Sequence, residues 1–189
     1  MEYFTNFAGE SHNRVNKFIM IETERLILRP WTEDDAEALF RYASDPRVGS
    51  MAGWPPHTSV EESREIIRSV FSAPEIYATV LKQTGEAVGC CGFLFGRDSH
   101  VDGIADDEAE IGYWIGQPHW GRGLIPEAVN ALVGHGLREL GLSAVWLGHY
   151  GNNDRSRRVA EKCGFAYSHT VDHGDQSELF WKLTRLPQP

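Results

Sequence analysis

Cysteine is scarce in this chain of 189 residues. Cys90, Cys91 and Cys163 are odd in number and form no CxxC pair, which argues against a disulfide framework and against a Cys-rich zinc site. A reducing cytoplasm is the expected setting. Long apolar runs are missing as well: no stretch of about 18 consecutive apolar residues exists, so no membrane span is expected. Positive charge is in deficit, with 18 Lys plus Arg against 27 Asp plus Glu and a net charge of −9. That field repels nucleic acid and anionic lipid and favours a small cationic partner. HExxH is absent, and His169 and His173, although spaced i, i+4, fall across a strand end and a turn, so no metal site is expected.

What is present is ordinary globular composition, 41% hydrophobic and 24% charged residues, in a length of roughly one domain. Residues 1–19 carry no secretory pattern and are expected to form a flexible arm, with Met20 a candidate initiator, ahead of a single domain over 20–189. From Ile21 to Arg29 the residues alternate, with Leu26 and Leu28 on one face, which predicts a strand. Thr32 and Asp35 open a helix carrying Ala36, Leu39, Phe40 and Ala43 on one stripe, stopped by Asp45 and Pro46. Gly49 to Thr58 has no period and predicts an irregular loop. Ser59 and Glu62 form a capping-box pattern for the next helix.

Three strands follow, Ile76 to Leu81, Ala87 to Phe95 and Glu108 to Ile115, the first two joined at Thr84 and Gly85. The clearest helix runs from Gly121 to Leu140, capped by Gly141. Ala144 to Leu147 reads as a buried strand. A helix opened by Asn153 or Asp154 and ended by Gly164 comes next, then strands at Phe165 to Thr170 and Leu179 to Leu183. The order β, α, α, β, β, β, α, β, α, β, β predicts an α+β fold with a mixed, mostly antiparallel sheet and about four helices.

The segment QPHWGRGLIPEA joins a strand to the strongest helix through Gly121 and Gly123. Glycine lets the backbone turn sharply and approach a ligand, and the helix N-terminus that follows presents amide donors and a partial positive charge. Such a turn suits an anion, and Arg122 adds a full charge. A phosphate-binding P-loop would need Lys and then Ser or Thr after the last glycine, but Leu124 stands there; a dinucleotide fingerprint would need a small residue at Pro126. About thirty residues on, Arg155, Arg157, Arg158 and Lys162 form a local basic island at the start of the other C-terminal helix, which is a solvated face or an anion contact.

The strand EIGYWI, the turn QPHWGRG and the string from Asn153 to Phe165 resemble the GNAT acetyltransferase superfamily. The opening TERLILRPWTEDDAEAL is similar to its branch of ribosomal-protein N-terminal acetyltransferases. The likeness runs in family order from Ile21 to Leu183 and implies acetyl-CoA as donor and an amine as acceptor. It implies that the pantetheine arm lies along Tyr113, Trp114 and Ile115 as an added strand would. The pyrophosphate would rest on the amides of Gly121, Arg122, Gly123, Leu124 and Ile125, with Asn153 near the pantetheine and Arg158 or Lys162 at the outer phosphate. The family pattern of Gln or Arg, two residues, Gly, one residue, then Gly or Ala, laid over Gly123, meets Trp120 and Ile125 instead, which touches side-chain contacts more than main-chain ones.

Acetyl transfer to an amine needs a proton acceptor, donors for the developing oxyanion and a proton for the leaving thiolate. Period-2 geometry puts Glu110, Gly112 and Trp114 on one strand face, with Glu110 the candidate base, Gly112 leaving room and Trp114 an apolar wall. Asp107, Glu108 or a water chain are alternatives. Ser156, at the serine of the family's NxxS string, is the candidate donor to sulfur, and Tyr150 a second. Acceptor choice is expected to lie in the loop Gly49 to Thr58, the helices that flank it, and the polar loop Arg97 to Asp107. A CoA-binding sensor without turnover and an interaction module built on Trp54, Trp114 and Trp120 are the competing readings, and both a monomer and a homodimer are compatible with the sequence.

Overall fold

The structure, a computed structural model, describes residues 19–184. The arm expected over residues 1–19 lies, Ile19 apart, outside the described residues. Among these, eight strands form one sheet in the order β1-β2-β3-β4-β5-β6-β8-β7. The strands are β1 (Ile21–Glu22), β2 (Leu26–Pro30), β3 (Ile76–Leu81), β4 (Ala87–Leu94), β5 (Glu108–Ile115), β6 (Ala144–Tyr150), β7 (Ala166–Asp172) and β8 (Ser177–Thr184). Five α-helices accompany them: α1 (Ala36–Ala43), α2 (Pro46–Ala52), α3 (Val60–Ser69), α4 (Leu124–His135) and α5 (Asp154–Lys162). The pairs β1–β2, β2–β3, β6–β8 and β7–β8 are antiparallel and β5–β6 is parallel, so the α+β reading with a mixed sheet holds. No helix of the described residues is long and apolar enough to cross a membrane.

The chain divides into two compact units, one containing the residues up to Cys91 with Tyr113–Leu124, the other Gly92–Gly112 with the residues from Ile125 onward. In the first unit the strand expected over Ile21 to Arg29 is a hairpin. Thr23 breaks it: its hydroxyl accepts the N–H of Leu26 at 3.0 Å, and its own N–H goes to the Leu26 carbonyl. Leu26 and Leu28 are fully buried, as the alternation required. Asp35 accepts two bonds from the Arg29 guanidinium at 2.7 Å and one from the Thr32 N–H at 2.9 Å, tying the end of β2 to the turn that starts α1.

The irregular loop expected from Gly49 is in part α2, the fifth helix where about four were anticipated. Asp45 caps it by accepting the N–H of Arg47, Pro46 occupies the first turn where its missing N–H costs nothing, and Gly53 ends it at φ 79°. Asp45 and Pro46 therefore end one helix and begin another. At α3 the expected capping box is split, since Ser59 caps Glu62 while the Glu62 carboxylate turns back to the N–H and hydroxyl of Thr58.

In the second unit, β6 pairs along its whole length with β8, but its parallel ladder with β5 covers only Glu108 to Glu110. The long helix expected from Gly121 to Leu140 begins as α4 at Leu124 and finishes as one π-helical turn, Gly136–Leu140, before the left-handed Gly141. Ala128, Val129 and Leu132 on α4 are fully buried, as the apolar stripe demanded. Gly136 is glycine for a reason of space: a Cβ there would stand 2.7 Å from the ring of Phe93.

Candidate functional site

The turn between β5 and α4 belongs to the first unit as far as Leu124. A short 3-10 turn, Gln117–His119, leads out of β5, and the indole N–H of Trp120 folds back to donate to the Ile115 carbonyl at 2.9 Å. Gly121 and Gly123 have φ of 74° and 75°, left-handed values that strain any residue with a Cβ. Both are exposed, and a Cβ at Gly121 would meet nothing within 4 Å. The chain thus turns through two glycines into the N-terminus of a twelve-residue helix, the arrangement that gathers main-chain N–H groups for an anion.

The cationic side chains around this turn are not distributed as the sequence suggested. Arg122 donates to Nδ1 of His119 at 3.3 Å, and His119 in turn stands 3.3 Å from the Tyr42 hydroxyl. Burial and Arg122 push the His119 imidazole below its usual range, with Glu86 opposing them. Arg25, which sequence reasoning did not single out, reaches across from the β1–β2 turn: its Nη1 donates to the Arg122 carbonyl at 3.0 Å, and its Nη2 lies 3.7 Å from where a Cβ of Gly123 would be. Trp114, buried at the end of β5, stacks with Trp31 at 6.3 Å and meets Trp54 edge-on at 5.9 Å.

The second unit carries the other predicted residues. Asn153 is the buried N-cap of α5, its Oδ1 accepting the N–H of Ser156 at 3.1 Å. Ser156 sits half-buried on the first turn of that helix and Arg158 is exposed. The basic island is less basic than its letters, because Arg157 pairs with Asp154 at 3.0 Å and with Glu161 at 3.3 Å. His149 accepts the Trp181 indole N–H at Nε2 and faces the Tyr150 carbonyl through Nδ1, which places its proton on Nδ1.

Glu110 is 4% exposed on β5. Its Oε2 receives the Ser99 hydroxyl at 2.9 Å and the His100 main-chain N–H at 2.6 Å, with His100 Nδ1 at 3.2 Å. Its Oε1 lies 3.0 Å from where a Cβ of Gly148 would be, and Glu178 Oε1 lies 3.2 Å from the same point. The alternative bases fare differently. Glu108 is bound by Lys182 and by the Trp146 indole, both at 2.6 Å; burial works to raise its carboxyl, but those two partners hold it below the usual range. Asp107 is exposed. His169, one of the pair spaced i, i+4, stacks on Phe180 at 5.1 Å, and among the described residues no cluster of His, Cys, Asp or Glu is arranged to hold a metal ion.

The strand order of this mixed sheet and the glycine turn opening the helix after β5 define an α+β architecture, and comparison with known proteins gives it a family. The family model for the acetyltransferase (GNAT) domain matches residues 25–166. The chain belongs to the GNAT acetyltransferase family. It is 35% identical over 128 residues to the uncharacterized N-acetyltransferase p20 of Bacillus licheniformis, covering 65% of this chain and 68% of that protein. With the uncharacterized N-acetyltransferase YoaA of Bacillus subtilis it shares 31% over 153 residues, 78% of this chain and 83% of the relative. Its fold is that of the microcin C7 self immunity acetyltransferase MccE, solved in complex with acetyl-CoA and AMP, with a TM-score of 0.71 at 17% identity over 86% of this chain and 94% of that one.

Proposed function

We propose that this acetyltransferase moves an acetyl group from acetyl-CoA to a primary amine, either a protein N-terminal α-amine or a small-molecule amine, by direct attack within a ternary complex. The observation that carries the reading is the pair of exposed left-handed glycines opening α4, with two arginine side chains about them. That arrangement fits a diphosphate: main-chain donors, the helix dipole and cationic charge coincide, and open space stands where a larger residue would intrude. When bound, acetyl-CoA supplies the activated acyl group and a thiolate leaving group.

This chain's residues supply the rest. The amides of Gly121 to Ile125 hold the pyrophosphate, and the main chain of Tyr113, Trp114 and Ile115 takes the pantetheine as an added strand. Arg158 contributes an outer charge. Asn153 already gives its carbonyl oxygen to the helix cap, so its side-chain N–H groups are what it offers a ligand. Glu110 receives the proton released by the amine as the new N–C bond forms and the C–S bond breaks. Ser156 donates to the departing sulfur.

The test is release of free thiol from acetyl-CoA across a library of amines. Glu110→Gln is expected to lower kcat by about 10²- to 10⁴-fold on the best acceptor while leaving CoA binding intact. Unchanged turnover in that variant removes Glu110 as base, and no turnover with any amine, together with CoA-dependent thermal stabilisation, turns the reading toward a CoA sensor.

A further inference from the structure

A carboxylate buried inside a sheet is costly unless its charge is met by hydrogen bonds, and Glu110 is met on one side in particular. The hydroxyl of Ser99, the main-chain N–H of His100 and the imidazole Nδ1 of His100 all converge on Oε2. Ser99 is itself fixed, because its Oγ accepts the N–H of Val101 at 3.1 Å. Oε1 instead points to Gly148, where a Cβ would stand 3.0 Å from Oε1, 3.0 Å from the Phe180 ring and 3.2 Å from Glu178 Oε1, so that any side chain there would crowd the carboxylate. We propose that Ser99 and His100 are positioning residues for Glu110, holding its carboxylate through Oε2 so that Oε1 takes the acceptor's proton, with the charge of the His100 ring deciding whether a cation competes for that carboxylate. The inference rests on the reading of Glu110 as the base and deepens it.

The side chain of His100 is 21% exposed, so its ring exchanges protons with solvent while it faces a carboxylate that is only 5% exposed. Among the charged groups facing it are Glu110 from β5 and Glu178 from β8; His173, from the β7–β8 turn, lies 3.5 Å from Glu178 in turn. Burial works to lower the imidazole's pKa, but the Glu110 hydrogen bond and the two carboxylate charges overcome it and hold it above the usual histidine range. As pH falls, His100 becomes a cation that pairs with Oε2 and competes with the acceptor's proton for the carboxylate. As pH rises beyond that range the ring turns neutral, Nδ1–H still orients Oε2, and the competing charge is gone.

The test is the pH profile of kcat, with both substrates saturating, for the wild-type chain, His100→Gln, Ser99→Ala and Glu110→Gln. His100→Gln keeps an N–H donor but cannot become charged: its kcat maximum is expected to fall by about tenfold, a fraction of what a positioned base supplies, while its acid limb moves to lower pH and the KM for acetyl-CoA stays put. Ser99→Ala is expected to lose less, with the acid limb unmoved. A His100→Gln profile superimposable on wild type overturns the proposal, and does so separately from the base if Glu110→Gln is crippled in the same assay. Should His100→Gln not fold, an NMR titration of the His100 ring in the wild-type chain decides: a midpoint coinciding with the acid limb of kcat supports the proposal, and a midpoint elsewhere overturns it.

Discussion

At the scale of single residues, two glutamates separated by one position on β5 have opposite prospects, and their partners explain why. Glu108 is neutralised by a lysine and an indole that claim both of its oxygens, whereas Glu110 has one oxygen claimed and the other directed at a glycine. Alternation along the strand singles out Glu110 but says nothing about which loop backs it. Ser99 and His100 lie in a polar segment whose letters give no sign of which side chains turn inward. Arg25 was out of reach for a related reason: it stands 97 positions from Arg122, and only folding brings its guanidinium to the glycine turn. Its place there makes a prediction. Arg25→Ala removes a charge and a support of the turn, so the KM for acetyl-CoA is expected to rise about fivefold with kcat little changed, the size an exposed charged hydrogen bond carries. Calorimetric titration with CoA is the check, and unaltered affinity would detach Arg25 from the diphosphate.

At the scale of elements, strands and helices were legible wherever a long segment is buried: β3 and β4 are buried at every position and stand out as apolar runs, and the body of α4 carries a continuous apolar stripe. What escaped were short elements whose signals have two meanings. Asp45 and Pro46 read as a stop because they end α1, yet the same letters are a cap and a first-turn proline for α2. Thr23 kept the alternation of a strand while its hydroxyl made a turn. The join between β2 and α1 is also where an element-scale stability effect is expected. Burial works to raise the Asp35 carboxyl, but Arg29 and Thr32 hold it below the ordinary carboxylate range. A folded-state pKa below the unfolded one means that this stabilisation is complete above about pH 5 and is lost as pH falls through the folded value. Thermal melts from pH 7 down toward pH 3 are expected to show a falling Tm. Asp35→Asn is expected to flatten part of that fall and to cost about 1–3 kcal/mol at pH 7, the size of a charged hydrogen-bond partner lost in a part-buried pair. Parallel Tm curves for the two proteins would show that the pair contributes nothing to acid sensitivity.

At the scale of the whole molecule, a net charge of −9 is expected to act on the two proposed substrates with opposite sign. An amine that is an ammonium ion in solution is expected to be drawn toward the protein before any specific contact forms, and CoA, a polyanion, to be repelled, with Arg25 and Arg122 opposing that repulsion at the glycine turn. Salt shortens the reach of both effects, since the screening length falls to about 8 Å at physiological ionic strength. For a cationic acceptor, kcat/KM is therefore expected to fall by about fivefold between roughly 20 and 300 mM KCl. For acetyl-CoA it is expected to change less, because long-range repulsion and local attraction are screened together. An acceptor that is neutral at the assay pH is the control and is expected to show no salt dependence. If the cationic acceptor's kcat/KM is equally indifferent to salt, the acidic surface plays no part in gathering the amine, and acceptor selection rests wholly on contacts made after arrival.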